Sequence, residues 1–341
     1  IYAREKPGAD NIGISTAHPY NEGAYAPFSI HLSVKFLVTG ATCFIGAHWC
    51  AQIALAGNEL LAFSATGGPL PDGAATQALD FSSAEIDSGM LASVDVVVHL
   101  AGIAHRSAGE SDYQAVNHRA VVKLAEQAEQ AGVRSFVFLS SVKAMGPGAG
   151  ELPRNEQDCR IPPDSYGRSK RDAELALAEQ FGSGDMSVCI VRPALVYGDG
   201  AKANLALLAR AVNKGLPRPP AEGGRSMIGI DDLCRLILLL AGDEVPGVRT
   251  YIATDGEVYS TRRIYDALRS AGGMGQGVAW WPRWVWRVGC WLMDAGSSDL
   301  ESTWQRLFGW ECFSNQAAHA DFGWQPQQTF EDYCRSNGGL G

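Results

Sequence analysis

The chain predicts an α/β protein, a doubly wound parallel sheet followed by a smaller mixed α/β C-terminal lobe. Three observations carry this. Short β-branched apolar runs alternate with longer stretches of helical periodicity from Val34 to Val191. The runs are apolar throughout, as in Asp95-Val96-Val97-Val98-His99-Leu100, which suits strands covered on both faces. After Pro193 the texture changes: glycines and prolines cluster between Gly215 and Gly224, and the segments become short. We therefore read 1–32 as an N-terminal tail, 33–193 as the first domain and 194–335 as mostly a second lobe, with some elements returning to the main sheet.

Taken in order, Val34-Lys35-Phe36-Leu37-Val38 is a buried strand ending at the turn Thr39-Gly40. Phe44 to Ala56 is a helix, Glu59 to Phe63 a second strand, and Leu79 to Phe81 a weaker third one after the glycine-rich loop Thr66–Gly73. Asp95 to Leu100 is the next strand, Asp112 to Ala131 a helix and Ser135 to Leu139 a strand. Ser165 to Gln180 is a helix and Met186 to Val191 a strand. Ligands of such sheets bind at the carboxyl ends of the strands.

Composition narrows the function classes. The 341 residues are 46% apolar, ample for a sizeable core. Lys plus Arg is 28 against 37 Asp plus Glu, a net charge of −9 that excludes a generally basic nucleic-acid-binding surface. The 8 cysteines form no C-x-x-C pair and no His/Cys/Asp/Glu set has metal spacing, so they read as thiols of a reducing, cytoplasmic setting and no metal is expected. No apolar run has the length of a membrane span, and 1–32 lacks the apolar stretch of a signal peptide. Trp280 to Leu292 is unusually rich in tryptophan. It reads as a core or dimer helix of the second lobe in preference to an amphipathic helix in peripheral contact with a membrane.

Two constellations carry chemistry. In VKFLVTGATCFIGAHW, strand, turn and helix follow one another, and Gly40 and Gly46 take the outer positions of a G-x-x-G-x-x-G loop. Gly40 makes the tight turn, Gly46 permits close helix–strand contact, and the helix N-terminus at Cys43, Phe44 and Ile45 faces a pyrophosphate. Cys43 stands where a glycine usually lets phosphate approach bare backbone, so its thiol either points away or weakens binding. The second strand ends at Ser64 with neither the acid that binds the NAD ribose nor an arginine for a 2′-phosphate, so NAD and NADP both remain open. Asp80 and Phe81 could border the adenine.

The second constellation is Tyr166-Gly167-Arg168-Ser169-Lys170, which puts Tyr166 and Lys170 on one helix face. An ammonium beside a phenol favours the phenolate and is expected to lower its pKa. Ser140-Ser141 ends the strand before it, where sites form. Serine, tyrosine and lysine are the parts that bind and polarise a C–O group during hydride transfer. The segment lacks a G-x-S-x-G elbow, which argues against serine hydrolysis. His99 reads as a structural histidine satisfied by backbone, and His105 as a candidate sugar contact.

These residues resemble the extended short-chain dehydrogenase/reductase superfamily, in its NAD-dependent epimerase/dehydratase branch. The motifs are TGATCFIG, DVVVHLAG, AVNHRA, FVFLSSVKAMG, YGRSK, RPALVYGDG, RSMIGIDD and GWQPQQTFED, spanning about residues 33 to 333. Within that branch the chain is similar to bacterial surface-polysaccharide enzymes, the UDP-N-acetylquinovosamine dehydrogenases and UDP-sugar 4-epimerases. The resemblance implies a Rossmann-type domain, a C-terminal substrate lobe, NAD or NADP as cofactor, a UDP-sugar substrate and a homodimer.

It further implies that Tyr166 is the general acid/base, Lys170 tunes it and binds ribose, and Ser141 binds the reacting hydroxyl or ketone. Asn117 would fix the Lys170 region through backbone and water contacts; Ala101 and Gly102, with Leu100 beside them, would border the pyrophosphate. Arg192-Pro193 and Val196-Tyr197-Gly198 would shape the floor between cofactor and sugar, with Tyr197 facing the substrate, and Asn204 and Arg225 would hold the diphosphate. Sugar-nucleotide dehydratases of the family follow the catalytic Thr or Ser with Asp-Glu; here Val142-Lys143 follows Ser141, which disfavours dehydration. Oxidoreduction at C4 is the expectation, net 4-keto reduction being preferred over 4-epimerisation. A catalytically idle nucleotide-sensing or scaffold protein on the same fold is the rival, and Cys43 is its best support.

Overall fold

The computed structural model of the chain describes residues 34–82, 85–104, 108–148, 150–201, 204–295 and 302–338. The expected tail, 1–32, lies outside them, as does His105. The strands are β1 (Lys35–Thr39), β2 (Glu59–Ser64), β3 (Gln77–Ala78), β4 (Val96–His99), β5 (Ser135–Leu139), β6 (Ser187–Pro193), β7 (Leu195–Tyr197), β8 (Gly224–Gly229), β9 (Gly247–Ala253), β10 (Val258–Tyr259) and β11 (Trp310–Glu311).

The main sheet has 7 strands in the order β3-β2-β1-β4-β5-β6-β9. Every pairing in it is parallel. The chain runs outward from β1 to β3, returns to β4 beside β1, and continues the other way. The order reverses between β1 and β4, and the crevice outside their carboxyl ends is where this architecture binds ligands. The uniformly apolar runs have their cause here, because alternate side chains serve two cores. Val38, Val98 and Val137 pack with Trp49, Ile53 and Leu236 on one face. Leu37, Val97 and Phe136 pack with Leu124, Ala173 and Leu177 on the other.

Two glycines are required where β1 turns into its helix. Gly40 has φ +72°, and a Cβ there would sit 2.6 Å from the backbone nitrogen of Ala101. A Cβ on Gly46 would sit 2.2 Å from the carbonyl oxygen of Gly40. The helix Phe44–Leu55 thus rests directly on the turn that starts it.

Beyond Pro193 the chain divides its path. β8 carries β7, β10 and β11 in a second, mixed sheet. The helix Ile230–Ala241 and β9 return to the main sheet, β9 pairing with β6 over Gly247–Ala253. The small lobe has its own core of Tyr197, Tyr259, Tyr265, Phe330 and Tyr333.

Three expectations are corrected. The third strand is Gln77–Ala78, not Leu79–Phe81. Leu79 still donates its backbone N–H to the Ser64 carbonyl at 2.9 Å as β3 ends, and Leu79 and Phe81 are apolar because they pack against the core below the sheet edge. The helix expected over Asp112–Ala131 is interrupted by a π-helical turn, Ala115–Arg119, around Asn117. Of the core-or-dimer expectation for the tryptophan-rich helix, Arg283–Asp294, the core half holds for Trp286 and Cys290 alone, while Trp284 and Trp291 are 66% and 67% exposed.

Gly46→Ala drives a methyl group into a backbone oxygen that cannot retreat. It should lower the unfolding free energy by about 1–3 kcal/mol, read as a fall in urea midpoint at unchanged m-value. Gly57→Ala, where a Cβ meets open space but φ is +77°, isolates the backbone contribution.

Candidate active site

Ser140 and Ser141 follow β5, and Ser141 is the N-cap of the 3₁₀ turn Val142–Met145. Its Oγ accepts from the Lys143 backbone N–H at 3.2 Å. Tyr166 and Lys170 lie one turn apart on the helix Ser165–Phe181. Asp164 caps that helix, its Oδ1 accepting from Gly167 N–H at 2.8 Å. The structure brings Ser141, Tyr166 and Lys170 together at the carboxyl edge of β5, with the Ser141 side chain near enough to the Tyr166 phenol to favour its ionised form. Lys170 is buried, donates from Nζ to the Leu139 carbonyl at 2.9 Å, and lies 4.6 Å above the Phe138 ring.

Asn117 sits beside this group, fully buried. Its Oδ1 accepts from Ile103 N–H at 2.8 Å, and its Nδ2 donates to the Ile103 carbonyl at 2.9 Å and to Ser169 Oγ at 3.2 Å. It ties the strand-end loop after β4 to the residue next to Lys170. A Cβ on Gly102 would approach Asn117 Oδ1 to 3.0 Å and Lys170 Nζ to 3.2 Å, so only a bare backbone leaves the ammonium clear.

Burial governs both titratable groups. Desolvation lowers Lys170 to about 8, against the pull of Glu174, which favours the charged form. Desolvation pushes the Tyr166 phenol up to about 12, and the neighbouring Ser141 side chain offsets only part of this. The expected lowering of the phenol by its ammonium neighbour is therefore corrected. Burial leads, Asp164 and Tyr113 raise the phenol further, and Lys170 Nζ is engaged by the Leu139 carbonyl.

Glu174, one further turn along the helix, is a residue that sequence reasoning missed. Its carboxylate accepts from Ser140 Oγ at 2.6 Å and from Arg192 Nε and NH2 at 2.8 and 2.7 Å. Both partners of the ion pair are 3% exposed. Burial opposes the Arg192 charge, but Glu174 overrules it and holds the guanidinium above its usual range. Its i+4 spacing from Lys170 was the available signal. Arg192 is thus a clamp on β6 that reaches Glu174, and Pro193 ends that strand, buried and in register with Ala253.

The crevice beside this group fits a dinucleotide. Gly40 brings the first turn against Ala101, Leu100 N–H donates to the Thr39 carbonyl at 3.1 Å, and no acidic residue stands in the first turn of the helix behind. An anion is therefore welcome at that helix end. Cys43 has φ −73°, so no glycine is required there by conformation. Its Sγ caps the helix, accepting from Gly46 N–H at 3.2 Å. Phe44 and Ile45 are half-buried behind it, Phe44 facing the Gly198 and Gly200 turn.

The remaining positions separate. Ser64 is buried with its Oγ bonded to Thr76 Oγ1 at 2.8 Å and to Gly67 N–H at 3.0 Å, so it holds the loop after β2. Asp80 turns back to Ser82, which keeps its carboxyl below the usual range, and Phe81 packs on the core. Tyr197 is corrected as a substrate contact: it is fully buried, and its hydroxyl oxygen lies 2.8 Å from the Gln328 carbonyl oxygen and 3.2 Å from an Asp255 carboxylate oxygen, which share its one proton.

Arg225 is the second residue of β8, donates to the Arg306 carbonyl and stands opposite Glu311 in the β11 ladder. Burial raises the Glu311 carboxyl, but Lys143, Arg225 and Arg154 together hold it below the usual range. Lys143 Nζ is 2.7 Å from it. Asn204 begins the helix Asn204–Asn213, and its side chain lies outside the described residues, as His105 does. His99 bonds a side chain instead of backbone: Nδ1 is 2.7 Å from Thr39 Oγ1, and burial lowers the ring to about 3. Among the described residues no cluster of three or more His, Cys, Asp or Glu is placed to hold a metal ion, and no helix is long and apolar enough to cross a membrane.

A doubly wound sheet with a glycine turn at its crevice and a Ser–Tyr–Lys group beside it defines a nicotinamide-dependent enzyme of the short-chain type. The sequence profile of the NAD dependent epimerase/dehydratase family matches residues 36–252, and the chain belongs to that family. A curated relative, "UDP-glucose 4-epimerase" of Vibrio cholerae, is 31% identical over 314 residues, 87% of this chain and 92% of that protein. Among solved structures, "MoeE5 in complex with UDP-glucose and NAD" superposes with a TM-score of 0.70 at 24% identity, covering 89% of this chain and 97% of its own. WbmG of Bordetella bronchiseptica "in complex with NAD" gives 0.69 at 20%, covering 89% and 92%.

Two outcomes follow. If Lys170 touches the ribose of NAD, affinity for NAD should show an ionisation near pH 8, measured by calorimetry from pH 6.5 to 9.5, that is absent in Lys170→Met. Because Lys170 is lowered from 10.5 to about 8, the unfolded chain binds the extra proton between those values, and this group makes stability rise with pH across that window. Cys43→Gly removes the thiol from the helix end and releases the Gly46 N–H; NAD should bind more tightly, and unchanged affinity would show that the phosphates approach elsewhere.

Proposed function

We propose that the protein is a UDP-hexose 4-epimerase that works by reversible oxidoreduction at C4. The observation that carries the reading is the gathering of Ser141, Tyr166 and buried Lys170 at the carboxyl edge of β5, where Lys170 Nζ donates to the Leu139 carbonyl at 2.9 Å and the Ser141 side chain favours the ionised Tyr166 phenol. NAD held at the crevice of β1 and β4 would supply the hydride acceptor and donor. Ser141 Oγ would hold the C4 oxygen, and Tyr166 would exchange the proton at that oxygen. With its phenol near 12, Tyr166 stands ready as the acid that protonates a 4-keto oxygen.

Two further points support C4 redox chemistry without dehydration. Val142 is buried in an apolar cluster, and Lys143 is paired with Glu311, so neither position after Ser141 offers a carboxyl group for elimination. Net 4-keto reduction, preferred from sequence, gives way here to epimerisation. A relative named for that activity matches over nearly its whole length, whereas the earlier preference rested on scattered motifs.

The test follows UDP-glucose and UDP-N-acetylglucosamine by NMR, with absorbance at 340 nm read in parallel. The expected result is a mixture of C4 epimers from at least one of them, with no net accumulation of reduced cofactor. Stoichiometric consumption of NADH or NADPH with a UDP-4-keto sugar and no epimer formation overturns epimerisation in favour of reduction. Tyr166→Phe should lower turnover roughly 10²–10⁴-fold while NAD binding is retained, which also separates an enzyme from an idle nucleotide sensor.

A further inference from the structure

The helix Arg283–Asp294 has two apolar faces. Trp286 and Cys290 point inward to Phe308 and anchor the helix to the small lobe. Trp284, Val288, Trp291 and Leu292 recur at i, i+4, i+7 and i+8 and are all exposed. Trp280, 69% exposed, and Trp281 extend this surface at the helix start. A run of exposed tryptophans on one stripe is not the ordinary scatter of single apolar residues over a surface.

From Met274 to Met293 the chain contains Arg283 and Arg287 and no Asp or Glu, in a protein whose net charge is −9. Arg287 lies 5.1 Å from the Trp304 ring centroid, and Arg283 pairs with Glu222 at 2.6 Å, more than half exposed. An exposed pair of this kind is worth little and exchanges readily for another anion.

We propose that this stripe docks the protein on the surface of an anionic phospholipid bilayer, the helix lying in the plane of the interface. An indole is apolar in body with an N–H that needs a partner, and the headgroup layer offers both surroundings at once. Arginines beside an apolar stripe are the pattern of interfacial helices, and they complement anionic headgroups. A two-fold contact with a second copy is the other occupant of such a stripe, and it offers the indole N–H groups and Arg287 no anionic partner of the kind a headgroup layer supplies. Neither occupant is part of the crevice chemistry.

Co-sedimentation of the full chain with vesicles tests this, using phosphatidylcholine alone and with about 30% phosphatidylglycerol. Binding is expected to the anionic vesicles, with a blue shift of tryptophan emission and quenching by brominated acyl chains. Arg287→Gln should weaken binding about fivefold. Trp284→Glu with Trp291→Glu should abolish it while the thermal midpoint and NAD binding stay unchanged, since both side chains are exposed. Absence of binding to anionic vesicles overturns the proposal, as does full binding by the double variant. So does a concentration-dependent dimer in sedimentation velocity that the double variant dissolves, which would assign the stripe to a second copy.

Discussion

The site depends on a carboxylate that never meets the substrate crevice directly. Glu174 accepts from Ser140, which precedes Ser141, and from Arg192 on β6. It stands one helical turn from Lys170. One buried group therefore fixes the helix that carries Tyr166 and Lys170 against the two strands on which Ser141 and Pro193 depend. Fork-shaped Arg–carboxylate contacts suit this task because two parallel bonds define an orientation as well as a distance. Buried pairs of this kind add little net stability over apolar packing, but removing one partner costs about 3–5 kcal/mol because the other is left charged and unpaired. The network buys geometry in exchange for that vulnerability.

The crevice depends on a different constraint, the space denied to side chains. Gly40 lets the turn after β1 press on Ala101, Gly46 lets the following helix rest on Gly40, and Gly102 leaves Lys170 and Asn117 clear. These are three contacts at which backbone must meet backbone or a fixed polar side chain. Cys43 obeys other rules: its conformation is open to any residue, and the thiol serves as a helix cap. The departure from glycine at that position thus costs the fold nothing and acts, if anywhere, on the phosphate approach.

Most of the main sheet was legible because its strands are buried on both sides and say so residue by residue. Ser135–Leu139 is recovered to the residue, and Val96–His99 to within one at each end. Leu79–Phe81 misled because apolarity reports burial, and at this sheet edge the paired residues Gln77 and Ala78 are exposed while the apolar ones lie where the strand ends. Tyr166, Lys170 and Ser141 were legible as a local spacing and a strand end. Glu174 was not, because its role arises from Arg192, a partner eighteen positions later on another strand. Tyr197 failed for the converse reason: a motif places it beside the crevice, but Asp255 and Gln328, distant in sequence, draw its hydroxyl into the small lobe's core. The tryptophan stripe was legible as an oddity only. Which face of a helix is covered depends on what lies opposite, and here Phe308 covers Trp286 while Trp284 and Trp291 face outward.

The electrostatics of the site follow from that same burial. A phenol raised to about 12 and an ammonium lowered to about 8 share a cause, the removal of both from water, and each shift favours the neutral form. At neutral pH the lysine, lowered only to about 8, still carries its charge, while the phenol keeps its proton. A cation brought beside it lowers both values: it favours the phenolate at Tyr166 and further disfavours the ammonium at Lys170. The two groups are coupled in opposite senses, since a charged lysine assists the phenolate that a neutral one does not. Tyr166 thus gives up its proton most readily while Lys170 keeps its own, so the burial that lowers the lysine also sets the pH range over which the lysine can assist the phenol.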